Sequence, residues 1–393
     1  MTLRPNAIDF RADALSAHTL LTHSAAQLVD PERQLAALRL VHWYIPGWFF
    51  GVVFPVIALA YFWQSGRAAT TRDALRRRFG NENVVRFIFG AILGLIVRVA
   101  ALPPSLYLYR VERAMSQSDQ LLRAWSLDWI LVTLIWMLAV GFVTAAVLWL
   151  VDRTHQWYIY AILTILAASF VASYLAPFIS TPLFDVVSPM PARATPSVQE
   201  IEAAAHLRAP VLEQIRKRSH VGTAYVIGLG PSQRIMIGDA IVAVTSAAEL
   251  EYVVARQLGY IASGAQWKIA LTDALLLIFG AAIAVGISDR IYFRGDDDPV
   301  SRFALVGAFF GALYLVAVPI DNAVLRGISR DADRYALALH VDHAAAVRNV
   351  VRATDESLAE VCPDIMARLF MQRVEDPSVR VYAMNGVPST CPP

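Results

Sequence analysis

Long apolar runs, separated by short polar breaks, dominate the 393-residue chain. Six of them, near 43–64, 86–108, 128–150, 157–179, 269–288 and 303–324, are long enough to be membrane spans, since about 20 helical residues cross the hydrocarbon core. Trp43, Trp48, Trp63, Trp129, Trp149 and Trp157 lie at or near their ends, where interfacial anchors belong. A polar segment precedes the first run, so that run is not read as a cleavable signal peptide. Residues 1–40 themselves, with scattered Leu and Ala, are expected to form an amphipathic surface helix.

The period changes in the polar stretch 180–268. Pro182, Pro189, Pro191 and Pro196 mark an irregular lead-in. Residues 198–219 read as a helix with Ile201, Ala205, Leu212 and Ile215 on one side and Arg216, Lys217 and Arg218 near its end. Two β-like runs, 224–229 and 234–237, flank Gly230-Pro231-Ser232-Gln233 and predict a hairpin. Residues 247–262 return to helical spacing, which puts Arg256 and Tyr260 on one face. A helical tail is expected from about 325 to 374, with 375–393 loosely ordered. The predicted fold is therefore a polytopic α-helical membrane protein of about six spans with a small α/β domain. The segments are 1–42 (polar), 43–180 (four spans), 181–268 (the small domain), 269–324 (two spans) and 325–393 (tail).

Composition agrees with a multi-pass integral membrane protein: 57% of residues are apolar, 17% are charged, and mean hydropathy is +0.49. Membrane lipid is thus a partner by necessity. Net charge is +2 with no basic stripe, which argues against nucleic acid. The connection Gly66–Arg86 carries Arg67, Arg72, Arg76, Arg77, Arg78 and Arg86 against Asp73 and Glu82, a cytoplasmic signature. Four spans precede 180–268, so that stretch is expected on the N-terminal, extracytoplasmic side. Cys362 and Cys391 lie in no C-x-x-C pattern and are expected to be plain thiols.

Several polar groups are weighed as sites. His340 and His343 would share a helical face; a solvated helix end is the leading reading and a metal site the alternative. Asp296, Asp297 and Asp298 are read as a solvated cap, and His206 and His220 as structural. Arg98, Asp273 and Asp321 fall inside spans, where ionisable groups need a partner or a cavity. Gly228-Leu229-Gly230 is too short for a dinucleotide fingerprint.

The order of several segments resembles the integral-membrane zinc metallopeptidases of the type I CAAX prenyl endopeptidase family. These are LPPSLYLYRVERAMSQSDQLLRAW (102–125), Thr181-Pro182-Leu183-Phe184-Asp185, GTAYVIGLGPSQRIMIGDAIV (222–242), Asp321-Asn322-Ala323 and Ser329-Arg330. The resemblance implies that fold and a zinc site built on H-E-x-x-H, whose two His bind metal while the Glu activates water. At that place stands Arg256-Gln257-Leu258-Gly259-Tyr260. The third-ligand position falls on Asp333, one methylene shorter than the family's Glu, and Ala336-Leu337 replaces the family's Ala-Asp. The family's later His-Pro-Pro segment has no counterpart. Zinc is accordingly expected to be absent, no catalytic or metal residue is expected intact, and Arg256 is expected to pair with Asp333. By the same resemblance Thr223, Ala224 and Tyr225 correspond to the strand that binds an extended peptide. The expected function is a catalytically inactive pseudopeptidase that binds peptides or a membrane protein; the alternative is an active zinc endopeptidase with non-standard ligands. A transporter lacks the supporting inverted repeat.

Overall fold

A computed structural model describes residues 10–184, 186–215, 222–291, 298–389 and 391. The expectations for Arg216, Lys217, Arg218, His220, Asp296 and Asp297 lie outside the described residues. Three short helices, α1 (Arg11–Ala14), α2 (Ala17–Thr22) and α3 (Ala25–Leu28), precede the long helix α4 (Pro31–Gln64). A polar helix α5 (Arg67–Arg78) follows, then α6 (Glu82–Ala114), α7 (Leu122–Arg153) and α8 (Trp157–Phe184). The small domain contains β1 (Val186–Pro189), α9 (Thr195–Ala205), β2 (Val211–Ile215), β3 (Ala224–Ile227), β4 (Arg234–Gly238), α10 (Asp239–Val244) and α11 (Ala247–Ala262). Two further long helices, α12 (Ala265–Ile291) and α13 (Pro299–Ala338), lead to α14 (His343–Ser357), α15 (Ile365–Phe370) and α16 (Pro377–Asn385).

Among the described residues six helices, α4, α6, α7, α8, α12 and α13, are long and apolar enough to cross a membrane. Each expected run lies inside one of them. The helices overrun the apolar stretches because nothing stops them at the membrane surface. Asp30 starts α4 by accepting from the Glu32 and Arg33 amides, with Pro31 at the first position. The 40 residues of α13 reach about 60 Å, so its last turns stand clear of the bilayer and become part of the small domain. Within the bundle, α6 packs on α7 through Gly90 and Gly94. A Cβ on Gly90 would fall 2.4 Å from Thr144 Oγ1, and one on Gly94 3.1 Å from Met137 Cα. That is close small-residue packing, the main source of helix adhesion in lipid.

On the far side of the bundle α5 meets the start of α13. Asp298 caps α13 by accepting from the Val300 amide and pairs with Arg72 and Arg76. It is an ion-paired cap rather than a freely solvated one. Inside the spans, Arg98 donates to Thr133 Oγ1 at 3.3 Å and lies over the Trp129 ring, while Asp321 pairs with Arg373 at 3.7 Å.

The sheet runs β1-β2-β4-β3, with β2 and β4 parallel and the other pairs antiparallel. The expected hairpin is β3–β4, in register Ala224↔Ile237 to Ile227↔Arg234. The single helix expected over 198–219 is corrected. Here α9 stops at Ala205, His206 turns left-handed (φ 49°), and 211–215 forms β2. Pro210 explains the break: it removes an amide and disfavours helical geometry just before it. Val211 and Leu212 then pair with β4 and Ile215 with β1, partners that helical periodicity cannot reveal.

Two terminal expectations also change. Residues 11–28 form three short helices rather than one amphipathic surface helix, and their apolar side chains are buried: Ala12, Leu20, Ala25, Leu28 and Val29 share one core with Ile235, Ile237, Tyr252, Leu258 and Val351. The segment 375–393 is not loose throughout, because α16 buries Val381 and Met384. Pro377 opens that helix and Gly386 closes it in left-handed geometry (φ 73°). Cys362 and Cys391, expected as plain thiols, are joined as a disulfide, 29 residues apart in sequence. His340 and His343 share no helix: His340 is left-handed (φ 60°) after α13, and Asp342 caps α14. The His343 Nδ1–H donates to the Met384 carbonyl at 2.8 Å.

The terminal helices are joined through Asp355, which is fully buried and accepts the Asp30 amide on both carboxylate oxygens (3.1 and 3.2 Å). Burial pushes its carboxyl up from 3.8 to about 7, against the partial relief of that amide and of Arg33 and Arg11. A raised folded-state value means the proton is held more tightly in the folded protein. The resulting stability is complete below about pH 4 and is lost as pH rises through about 7. Thermal unfolding should therefore show a falling midpoint from pH 5 to 7.5, and Asp355→Asn should flatten that slope.

Candidate functional site

The helix α11 begins with a reciprocal cap. Ser246 Oγ accepts from the Glu249 amide, and the Glu249 carboxylate accepts from the Ser246 amide at 2.7 Å. From that start Tyr252, Arg256 and Tyr260 follow at four-residue spacing and form one stripe along the helix. Opposite, α13 presents Ser329 and Asp333, also one turn apart. The two helices can approach because Gly259 has no side chain; a Cβ there would lie 3.0 Å from the Ala332 carbonyl oxygen.

At the centre is the Asp333 carboxylate, its side chain 4% exposed. Its Oδ1 accepts from Arg256 Nε at 2.7 Å, from the Tyr252 hydroxyl at 2.8 Å and from Arg380 Nη2 at 3.2 Å. Its Oδ2 accepts from Arg380 Nε at 2.8 Å. The Arg256 guanidinium also donates through Nη2 to Ser329 Oγ (2.8 Å) and to the Tyr260 hydroxyl (3.0 Å). Arg380 Nη2 donates to the Tyr252 hydroxyl at 2.9 Å. Glu375 stands next to this group, its amide donating to Ser329 Oγ (3.3 Å) and its carboxylate pairing with Arg330.

The expected Arg256–Asp333 pair is thus present, and two further groups complete it. Burial alone would lower both arginines, but Asp333 more than offsets it, so Arg256 and Arg380 stay charged. Burial pushes the Tyr252 phenol up, so it remains a hydrogen-bond donor. Two cations on one carboxylate leave the cluster with a surplus positive charge.

This donor set does not fit a catalytic zinc, which needs three protein ligands and an open position for water. A guanidinium has no lone pair to offer, both phenols accept hydrogen bonds from arginine, and both oxygens of Asp333 are occupied. Among the described residues no three His, Cys, Asp or Glu side chains gather as a metal site. Gln257, at the position of the family's general base, is buried with its Oε1 unpartnered. An amide there cannot accept a proton from water near neutral pH.

The structure places the remaining candidates, Thr223, Ala224 and Tyr225, at and just before the edge strand β3, away from the ionic cluster's hydrogen bonds. The Thr223 carbonyl accepts from the Gly238 amide at 2.8 Å, while its buried Oγ1 has no partner. Farther along β3 the Val226 carbonyl accepts from Gln266 at 3.1 Å. Sequence reasoning missed Tyr252, Arg380 and Glu375 as members of the cluster. Tyr252 was legible as the residue one turn before Arg256, and the Pro377…Gly386 frame was the signal for the helix that carries Arg380.

Comparison with known proteins extends this picture. The model for the CAAX prenyl protease N-terminal region, five membrane helices, matches residues 46–186, and that for peptidase family M48 matches residues 195–377. The uncharacterized metalloprotease YhfN of Bacillus subtilis strain 168 is 24% identical over 310 residues, covering 75% of this chain and 71% of that protein. The crystal structure of S. mikatae Ste24p has the same fold, with a TM-score of 0.63 at 19% identity, over 75% of this chain and 74% of that one. Six spans, a small mixed sheet packed beside them and family matches to both halves lead to one conclusion: this multi-pass membrane protein belongs to the M48 peptidases related to the CAAX prenyl proteases.

Proposed function

We propose that this chain is a zinc-free, non-hydrolytic member of the family, a pseudopeptidase that keeps the fold and a capacity to bind an extended peptide or a membrane partner. The observation that supports this reading is the Arg256–Asp333–Arg380 cluster at the position of the family's metal site, with both carboxylate oxygens taken. Hydrolysis of a peptide bond by this family's chemistry needs a metal-bound water and a base to take its proton. The stripe on α11 offers a cation where a ligand is needed and an amide where the base is needed. The peptide-binding part is supported by β3, which lies at the sheet edge where a peptide strand can add beside Ala224, the Val226 carbonyl being already held by Gln266.

The test is metal content of the detergent-purified protein after dialysis against micromolar zinc, measured together with cleavage of a quenched-fluorescence peptide library. Less than about a tenth of an equivalent of zinc, with no cleavage above the buffer rate, is the expected result. Near-stoichiometric zinc that disappears in Asp333→Ala, with turnover lost in the same variant, would establish an active enzyme with non-standard ligands instead.

A further inference from the structure

We propose that Arg256, Arg380 and Tyr260 form a carboxylate-binding site, and that the carboxylate it takes belongs to a peptide. The inference rests on the peptide-binding half of the proposed function and gives that half a recognition chemistry. Positive charge and hydrogen-bond donors are both in surplus at this place.

The charge is unbalanced by one. Arg256 and Arg380 both lean on Asp333, whose Oδ1 accepts from the two at once. The neighbouring acids are engaged elsewhere: Glu375 pairs with Arg330 at 2.7 Å and Asp376 with Arg368 at 3.4 Å. The two guanidinium groups therefore share one anion and repel each other. A desolvated charge without its counter-charge is costly. The Tyr260 ring, its centroid 5.2 Å from Arg256 Cζ, offsets only part of that cost. One added negative charge would bring the site to neutrality, and a doubly charged anion would overshoot.

The donors are also unspent. Arg256 uses Nε and Nη2, on Asp333, Ser329 and Tyr260; Arg380 uses Nε and Nη2, on Asp333 and Tyr252. A guanidinium carries five N–H groups, two of them on Nη1. Among the described residues the Nη1 of neither arginine meets an acceptor, and the Tyr260 hydroxyl, which accepts from Arg256, has none for its own proton. Neither Nη1 is among the fully buried atoms that lack a partner, so both reach the surface through the 11% and 12% of these side chains that stay exposed. Arg256 Nη1 stands beside the Tyr260 hydroxyl, because Nη2 of the same planar group donates to that hydroxyl at 3.0 Å. Adjacent donors on a cation complement the two oxygens of a carboxylate. Chloride has the right charge but a single centre. A peptide is the fitting source, since α11, which carries Arg256 and Tyr260, packs against the edge strand β3.

The test titrates the full-length, detergent-purified protein by calorimetry at matched ionic strength. Three peptides are used: acetyl-trialanine as the free acid, its C-terminal amide, and the amide of acetyl-Ala-Glu-Ala. The free acid is expected to bind about tenfold more tightly than the trialanine amide. A glutamyl peptide that matches the acid would support the site with a side-chain carboxylate as its source; one that matches the amide would support it with the C-terminus as the source. Tyr260→Phe removes one O–H, keeps the ring, and should narrow the gap between acid and amide several-fold. Arg380→Gln removes the surplus charge and should close it. Equal binding of acid and amide would overturn the carboxylate site while leaving peptide binding in place, and no binding of any peptide would overturn both. Displacement of the acid by equimolar chloride, or an unchanged gap in Tyr260→Phe, would overturn the assignment to these donors.

Discussion

Asp333→Ala is expected to lower the thermal midpoint of the detergent-solubilised protein by roughly 10 °C. The carboxylate is the only anion contacting Arg256 and Arg380 among their described hydrogen bonds, and both guanidinium groups are about nine-tenths buried. Removing one partner of a buried ionic group typically costs about 3–5 kcal/mol, because it leaves charge desolvated and unpaired. For a folding unit of about 150–250 residues, the size of the small domain together with the terminal helices packed on it, each kcal/mol is worth about 2–4 °C. Replacing all three charged groups together, Asp333→Ala with Arg256→Leu and Arg380→Leu, should recover much of the loss, since an apolar filling carries no desolvation penalty. Zinc added to Asp333→Ala should not restore the midpoint. A midpoint within a degree or two of wild type would mean that these arginines reach water more easily than their burial indicates.

A second large effect concerns rebuilding a metal site. Installing R256H, Q257E, Y260H and D333E restores the family's ligand chemistry on α11 and α13, yet this four-residue variant is expected to bind little zinc. Arg380 remains, with its Nε and Nη2 at 2.8 and 3.2 Å from the position-333 carboxylate in the wild type. Two unit charges 4 Å apart interact by about 4 kcal/mol at an effective dielectric of 20, and a divalent ion doubles the repulsion. Even after generous screening, the occupied carboxylate and the neighbouring cation should weaken zinc by orders of magnitude. Adding Arg380→Ala should raise zinc occupancy from a small fraction to near stoichiometric, read by metal analysis of the purified variants. Equal occupancy with and without Arg380 would show that the guanidinium swings away when its carboxylate has another use.

The membrane architecture was legible because lipid imposes long, uninterrupted apolar runs, which survive any detail of packing. The pairing of Arg256 with Asp333 was legible for a different reason: helical spacing fixes which residues share a face, and the resemblance located the facing helix. The second half of the cluster was hidden. Nothing local to Arg380 announces that it reaches back 47 residues to Asp333, and the cap residues around α16 are short-range signals easily outweighed by a polar composition. The strand at 211–215 was hidden because its apolar spacing fits a helix almost as well, and only Pro210 separates the two readings. The disulfide was invisible to a count of two cysteines, since spacing says nothing about which loops fold back on themselves.

The union of α1–α3 with α14 and α16 has a consequence for how the protein is made. The Arg348 guanidinium donates to the Ala12 and Leu15 carbonyls, Arg33 to the Asp355 carbonyl, and Asn385 to the Leu20 and His23 carbonyls. The partners are separated by 322 to 365 residues. At about 5–20 residues per second, synthesis of that interval takes roughly 15–75 seconds. During that time Leu20, Leu28 and Val29 have been made but lack the apolar partners that later bury them. A holding chaperone on that side of the membrane, or transient adsorption to the lipid surface, is what would keep the first helices from aggregating until the last ones are inserted.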